Sequence, residues 1–170
     1  MRHIMQGFTM HIEGLDFGID TEEVTLPLPT PVTQEYRGGG MGLGMNMAMA
    51  ALEALEPTIK MAGHNPDIMR RMAKGPGQTT RVTFRGAFLT EASGVYVPHV
   101  CVIEGAPNPG SRDTWQRGEK SGIEFMMNTV KYMRYDVGDE PIHEVSAWPP
   151  KWIVDGIDQI GGINGALGYL

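Results

Sequence analysis

The chain has 170 residues and a mass of 18.6 kDa, enough for one domain with its own core and too little for two ordinary ones. Its 41% hydrophobic and 20% charged residues exclude disorder of the whole chain, and 23 glycines with 12 prolines exclude an architecture of long uninterrupted helices. A formal charge of −6 excludes a protein that wraps nucleic acid through clustered Lys and Arg.

From the N-terminus, Phe8 to Ile12 alternates, which predicts a strand with Phe8, Met10 and Ile12 on one face and Thr9 and His11 on the other. A turn is expected at Glu13-Gly14. Val24 to Leu28 keeps the β pattern, but Pro27, Pro29 and Pro31 remove three amide donors from one edge, so that edge must face away from a ladder partner. Val32 to Arg37 reads as extended, and the run from Gly38 to Gly44 interrupts any regular element. Met45 to Ala50 alternates strictly, with three methionines on one face and Asn46, Ala48 and Ala50 on the other. Ala51 to Glu56 has a helix-prone composition.

A helix is predicted over Pro66 to Lys74. Asn65 suits its cap, Pro66 its first position, Asp67 its positive end, and Arg70, Arg71 and Lys74 its last turn, with Gly75 as the stop. Thr79 to Leu89 and Val95 to Glu104 read as a hairpin around Ala92-Ser93-Gly94. A loop is expected from Ala106 to Gly118, followed by a long strand from Ile123 to Tyr135 that pairs with Ile142 to Trp148 across Gly138-Asp139. Trp152 to Leu170 carries five glycines and reads as a docked arm.

Catalytic and ligand-binding patterns are missing. No placement of G-x-G-x-x-G fits residues 38 to 49, and no Gly-Lys-Ser/Thr follows. The five histidines stand singly, without metal-ligand spacing or a cysteine partner. Cys101 is the one cysteine, flanked by apolar residues, so an inert buried thiol is expected and an internal disulfide is excluded. No metal, cofactor or enzymatic activity is expected. No run is long and apolar enough for a helical membrane span, and no signal-like stretch opens the chain; a soluble protein made in a cytoplasm is the expectation.

Charge is uneven along the chain. Residues 1–56 carry −6, residues 57–85 carry +5, and residues 86–170 carry −5. A basic block between two acidic ones is complementary to copies of the same chain. Methionine, at 13, outnumbers leucine, and its flexible thioether suits a Met-filled core or a surface that repacks against neighbours.

Several segments taken together carry a resemblance: Glu23-Val24-Thr25-Leu26-Pro27, Gln34-Glu35-Tyr36-Arg37-Gly38-Gly39-Gly40-Met41, Arg85-Gly86-Ala87-Phe88, Gly118-Glu119-Lys120, Tyr132 to Asp136, Ile163-Asn164-Gly165 and Gly168-Tyr169-Leu170. In order and spacing, from about residue 5 to the C-terminus, the chain resembles the FII-like major tail tube proteins of contractile phage tails, a family shared with R-type pyocins. The methionine richness, the proline ladder at 27 to 31, Gly161-Gly162 and Trp148-Pro149-Pro150-Lys151-Trp152 depart from the pattern.

The resemblance implies a mainly β fold, a β-sandwich or barrel with one flanking α-helix, an extended loop and a C-terminal arm. It implies hexameric rings stacked head to tail into a tube inside a contracting sheath, capped by baseplate and tail-terminator proteins, in a virion tail assembled in the host cytoplasm. DNA, or protons and ions in a pyocin-like particle, passes through without tight binding. A few strands per chain cannot close a wide barrel, but six copies can, and barrels wider than ~16 strands keep an aqueous lumen. On this basis Tyr36, Arg37, Gly38, Gly39, Gly40, Met41, Asn164, Gly165 and Leu170 are candidate intersubunit residues. Glu35, Asn46 and Glu124 are candidate lumen residues, on the expectation that apolar side chains of the alternating strands enter the sandwich and small or polar ones face the lumen. Size and β content alone also fit a second reading, a small monomeric β-barrel that binds a ligand or acts as an enzyme.

Overall fold

A computed structural model describes residues 2–72 and 74–169, with Pro109 described by its backbone alone. Strands β1 (His3–Ile12) and β2 (Leu15–Asp16) form a hairpin whose turn residues, Glu13 and Gly14, both have positive φ, at 51° and 89°. That is the backbone of a two-residue turn matched to strand twist, at the place the sequence indicates. Strand β3 (Thr21–Thr25) lies three residues earlier than the predicted Val24 to Leu28: residues 26–30 join no strand, because Pro27 and Pro29 have no N–H to give a ladder.

Strands β4 (Pro31–Tyr36) and β5 (Met45–Leu52) pair only with each other, as a separate two-stranded sheet. The helix-prone stretch from Ala51 to Glu56 is not helical; β5 takes its first two residues and the rest connects to β6 (Thr58–Met61). Helix α1 (Pro66–Met72) starts as expected, with Asn65 Oδ1 accepting the Asp67 N–H at 3.0 Å.

Then come β7 (Thr80–Thr90), β8 (Tyr96–Arg112), β9 (Ile123–Val137) and β10 (Glu140–Ser146). The predicted loop from Ala106 is a correction: β8 runs on to Arg112 and absorbs its prolines and glycines as register shifts at Glu104/Gly105, Ala106/Pro107 and Pro109/Arg112. Strands β11 (Lys151–Val154) and β12 (Ile157–Asp158) and helix α2 (Gly161–Leu167) replace the predicted C-terminal arm. The chain thus has two short helices among its described residues, where one was expected.

The main sheet is antiparallel throughout and runs β12-β11-β10-β9-β8-β7-β1-β2, with β6 pairing both β9 and β3. Its core face is built row by row across the ladders. Met10, Phe84, Cys101 and Tyr135 are consecutive cross-strand partners, and so are Ile12, Val82, Ile103 and Met133. Ile59 and Met61 of β6 stand opposite Phe125 and Ile123. Backbone bonds from Phe17 N–H to Met10 O and from Ala62 N–H to Asp20 O, each 2.7 Å, let the turn at 17–20 bridge from β1 to the end of β6. The path β1-β7-β8-β9-β6 therefore curls on itself, and a small barrel core results, to which α1 adds Ile68 and Met72. The expected Met-filled core is present in part: five of the 13 methionines, Met10, Met61, Met72, Met127 and Met133, are fully buried.

Candidate assembly surface

The β4–β5 hairpin is the part of the chain least able to stand alone. A two-stranded sheet is marginal in water, and every residue from Thr33 to Tyr36 and from Met45 to Ala51 is exposed. At its tip the predicted Tyr36 to Met41 segment is brought together. Met41 N–H donates to Gly38 O at 3.0 Å, closing a turn over Gly39 and Gly40, and the Gly38 N–H donates to the Met41 sulfur at 3.2 Å. Tyr36 lies opposite Met45, and its hydroxyl is among the atoms nearest Gly38. None of Gly38, Gly39 and Gly40 has a left-handed φ, and an added Cβ at Gly39 or Gly40 meets nothing within 4 Å. Nothing within the folded chain requires glycine at those two positions.

The two faces of the hairpin differ. Tyr36 pairs with Met45 and Gln34 with Met47, giving a largely apolar face interrupted by the Gln34 amide, while Glu35 pairs with Asn46 and Thr33 with Ala48, giving a polar and small one. The segregation follows the predicted alternation, but the expectation that the methionines enter the sandwich is overturned. Met45, Met47 and Met49 are 50%, 47% and 41% exposed, because the chain places no second layer over this sheet. Leu43, at the tip, is exposed as well.

The three candidate lumen residues do not share one sheet. Glu35 and Asn46 are opposite each other on the hairpin, whereas Glu124 is on β9 of the main sheet. There Lys60 of β6 sits between Glu124 and Glu23 as the cross-strand partner of both, and these three exposed side chains line a shallow depression with Thr25 and Thr58. The acidic character expected around Glu124 is therefore interrupted by a lysine.

At the other end of the chain, α2 buries none of its residues, and Ile163 and Leu167, four apart, present one exposed apolar face. Asn164 has a role inside the chain, its Nδ2 donating to Pro150 O at 2.9 Å and tying α2 to the turn before β11. Gly165 accepts the Gly168 N–H at 3.2 Å where the helix ends in left-handed Gly168, at φ 77°. The Trp148 and Tyr169 rings meet edge to face with centroids 5.2 Å apart. Leu170 lies outside the described residues. The exposed methionine row and the exposed Ile163 and Leu167 of α2 are apolar surface features that the sequence reading did not single out as sites; strict alternation with no complementary apolar strand nearby was the available signal for the first.

The basic block is partly consumed within the chain. Arg71 and Lys74 both contact Glu13, at 3.6 and 2.7 Å, and Arg70 pairs with Asp67 at 3.6 Å. The Lys74 hydrogen bond holds the Glu13 carboxyl below its ordinary range. Lys60, Arg81 and Arg85 form no ion pair within 4.0 Å among the described residues.

Cys101 is buried, and burial, with the charge of Asp136 adding, pushes its thiol up to about 12; it stays protonated at neutral pH, as an inert core residue does. Among the described residues no cluster of three His, Cys, Asp or Glu side chains is arranged to hold a metal, and no helix is long and apolar enough to cross a membrane.

A chain in the cryo-EM structure of an extracellular contractile injection system, a PVC sheath-tube complex in the extended state, superimposes with a TM-score of 0.47 at 14% identity, covering 75% of this chain and 87% of that one. No curated protein sequence matches. The model of the family "Phage tail tube protein FII" matches residues 2–168, the whole length of the barrel, the hairpin and both helices, and the chain belongs to that family of structural, non-enzymatic tube proteins.

Proposed function

We propose that this chain is the repeating subunit of the inner tube of a contractile tail, closing as six copies into a ring and stacking ring on ring head to tail. The observation that carries the reading is the β4–β5 hairpin, a separate two-stranded sheet whose residues 33–36 and 45–51 are exposed on both faces. Such a hairpin gains stability when neighbouring copies extend its ladder and cover its methionines. Six hairpins supply about twelve strands, and two further strands from each main sheet bring the wall to roughly two dozen, past the ~16 at which barrels keep an aqueous lumen. Ring-on-ring contacts are heterologous and do not close, which produces a filament.

In this arrangement Glu35 and Asn46, on the polar hairpin face, and Glu124 line the lumen. Carboxylates without a continuous basic lining repel phosphates, so DNA slides through without being held; in a particle of the pyocin type, protons and ions pass instead. The tip segment Tyr36 to Met41 and the C-terminal residues Asn164, Gly165 and Leu170 serve contacts between copies. A tail sheath surrounds the tube, baseplate and terminator proteins end it, and the particle is a virion tail assembled in the host cytoplasm. Negative-stain microscopy of the purified protein tests the reading: rings with six-fold symmetry or tubes are expected, and a species that remains monomeric at every concentration overturns it.

A further inference from the structure

Eight of the 13 methionines form two contrasting groups. Met10, Met61, Met72, Met127 and Met133 have 2% exposure or less, whereas Met45, Met47 and Met49 stand in an alternating row on one face of the hairpin, about half exposed. A thioether is the one apolar side chain that a mild two-electron oxidant converts to a polar one, and access to the sulfur governs the rate. We propose that Met45, Met47 and Met49 form a peroxide-sensitive modification site that decides whether a free subunit can assemble.

The proposal rests on the tube reading, with a second copy of this chain as the occupant of the methionine face. Charge allows that occupant. In a chain of net −6, residues 31–52 carry only Glu35 and Arg37, so identical hairpins meet side by side without net repulsion. Met45, Met47 and Met49 remain 41–50% exposed in the folded chain, so a layer that covers them comes from another molecule.

The chemistry is balanced with a hydroperoxide as co-reactant. A sulfur lone pair attacks one peroxide oxygen, the O–O bond breaks, and the sulfoxide S=O forms. The departing oxygen takes the electron pair and a proton and leaves as water, or as an alcohol from an alkyl peroxide. Each event turns a flexible apolar side chain into a chiral, strongly hydrogen-bonding one that a dry face between copies cannot accommodate without a partner. Once a copy covers the row, the same sulfurs are shielded, so oxidation acts on unassembled subunits and spares finished tubes.

The test treats dispersed wild-type subunits with hydrogen peroxide, follows each methionine by peptide mass spectrometry, and then measures assembly by pelleting and microscopy. Met45, Met47 and Met49 are expected to oxidise roughly tenfold faster than the five buried methionines, with tube yield falling in step, and with much slower oxidation in preformed tubes. The triple variant Met45→Leu, Met47→Leu, Met49→Leu keeps Met5, which is also exposed, and is expected to assemble with or without peroxide. Oxidised wild-type protein that assembles normally, or a leucine variant that still loses assembly to peroxide, overturns the proposal and leaves the tube reading standing. Untreated wild-type protein that stays monomeric overturns the tube reading and the proposal together.

Discussion

His3 Nδ1 lies 3.0 Å from His99 Nε2, and His99 Nδ1 lies 2.8 Å from the Tyr135 hydroxyl, so the three side chains form one hydrogen-bonded row over β1, β8 and β9. Phe88 covers the His99 ring, stacked at a centroid distance of 3.9 Å. A contact between two imidazole nitrogens needs one N–H and one lone pair, so a proton added to both rings breaks it. Burial, and after it the charge of His3, holds His99 below its ordinary value of 6.5. The unfolded chain then takes up a proton near pH 6.5 that the folded chain resists. This contribution to stability is complete above that pH, declines as the pH falls through it, and levels off below the depressed folded value. Urea midpoints measured at about pH 8 and about pH 5.5 should fall toward acid, and His99→Gln should flatten the difference. An equal pH slope in wild type and variant would remove His99 as its source.

Close backbone approach fixes Gly105. A Cβ there would lie 2.6 Å from Thr129 O and 3.0 Å from Val130 Cα, atoms of the facing strand that cannot retreat without opening the β8–β9 ladder at its register shift. Gly105→Ala is expected to lower the unfolding free energy by about 1–3 kcal/mol, the usual cost of forcing an extra carbon into a packed interior. Gly7→Ala on β1 is the control, since a Cβ there meets nothing within 4 Å. Denaturant titration of the two variants should separate them; matching midpoints would contradict the close approach.

Gly39 and Gly40 invert that logic. Neither has a left-handed φ and neither has a neighbour for a Cβ, so Gly39→Gln should leave the unfolding midpoint of the subunit within about 0.5 kcal/mol of wild type. In the tube reading the tip of the hairpin approaches another copy, and a long side chain there should cut the yield of sedimenting tubes. A variant that folds and assembles like wild type would free this turn from any role between copies.

The barrel was legible in the sequence because its ladders keep period two: the rows from Met10 to Tyr135 and from Ile12 to Met133 are the alternating apolar residues of four strands brought into register. The helix over Pro66–Met72 was legible from its cap, since Asn65, Pro66 and Asp67 each satisfy a separate requirement of a helix start. Two features were not. Residues 106–112 look like a loop because prolines are judged by the donors they lack, yet a strand can take a proline wherever a shift in register points that position away from the ladder. The methionine face of β5 reads as core because alternation reports which residues share a face and not what covers it. For the candidate site the same limit applies: Tyr36 to Met41 came together at one turn through local bonding, whereas the separation of Glu124 from Glu35 and Asn46 depends on which strands pair, and spacing carries no record of that.

Lys60 lies across the ladder from both Glu124 and Glu23, and all three side chains are exposed. Opposite charges on facing strands attract modestly, and like charges repel by a similar amount, roughly 0.2–1 kcal/mol per pair. Lys60→Glu changes two attractive neighbours into two repulsive ones, whereas Lys60→Gln only removes the attraction. The expected order of stability is wild type, then Lys60→Gln, then Lys60→Glu, with the full spread on the order of 1–2 kcal/mol at low ionic strength. Screening should compress that spread, because the Debye length shrinks from about 30 Å at 0.01 M to about 3 Å at 1 M salt. Denaturant midpoints at the two salt concentrations measure it directly. A spread that ignores salt would mean that packing of the lysine stem over Thr25 and Thr58, and not its charge, sets the effect of the substitution. The same variants bear on transport: if Glu124 faces the lumen, Lys60→Glu makes the wall more uniformly acidic, so tubes built from it should retain less added DNA than wild-type tubes at low salt, and equal retention would place this row away from the channel.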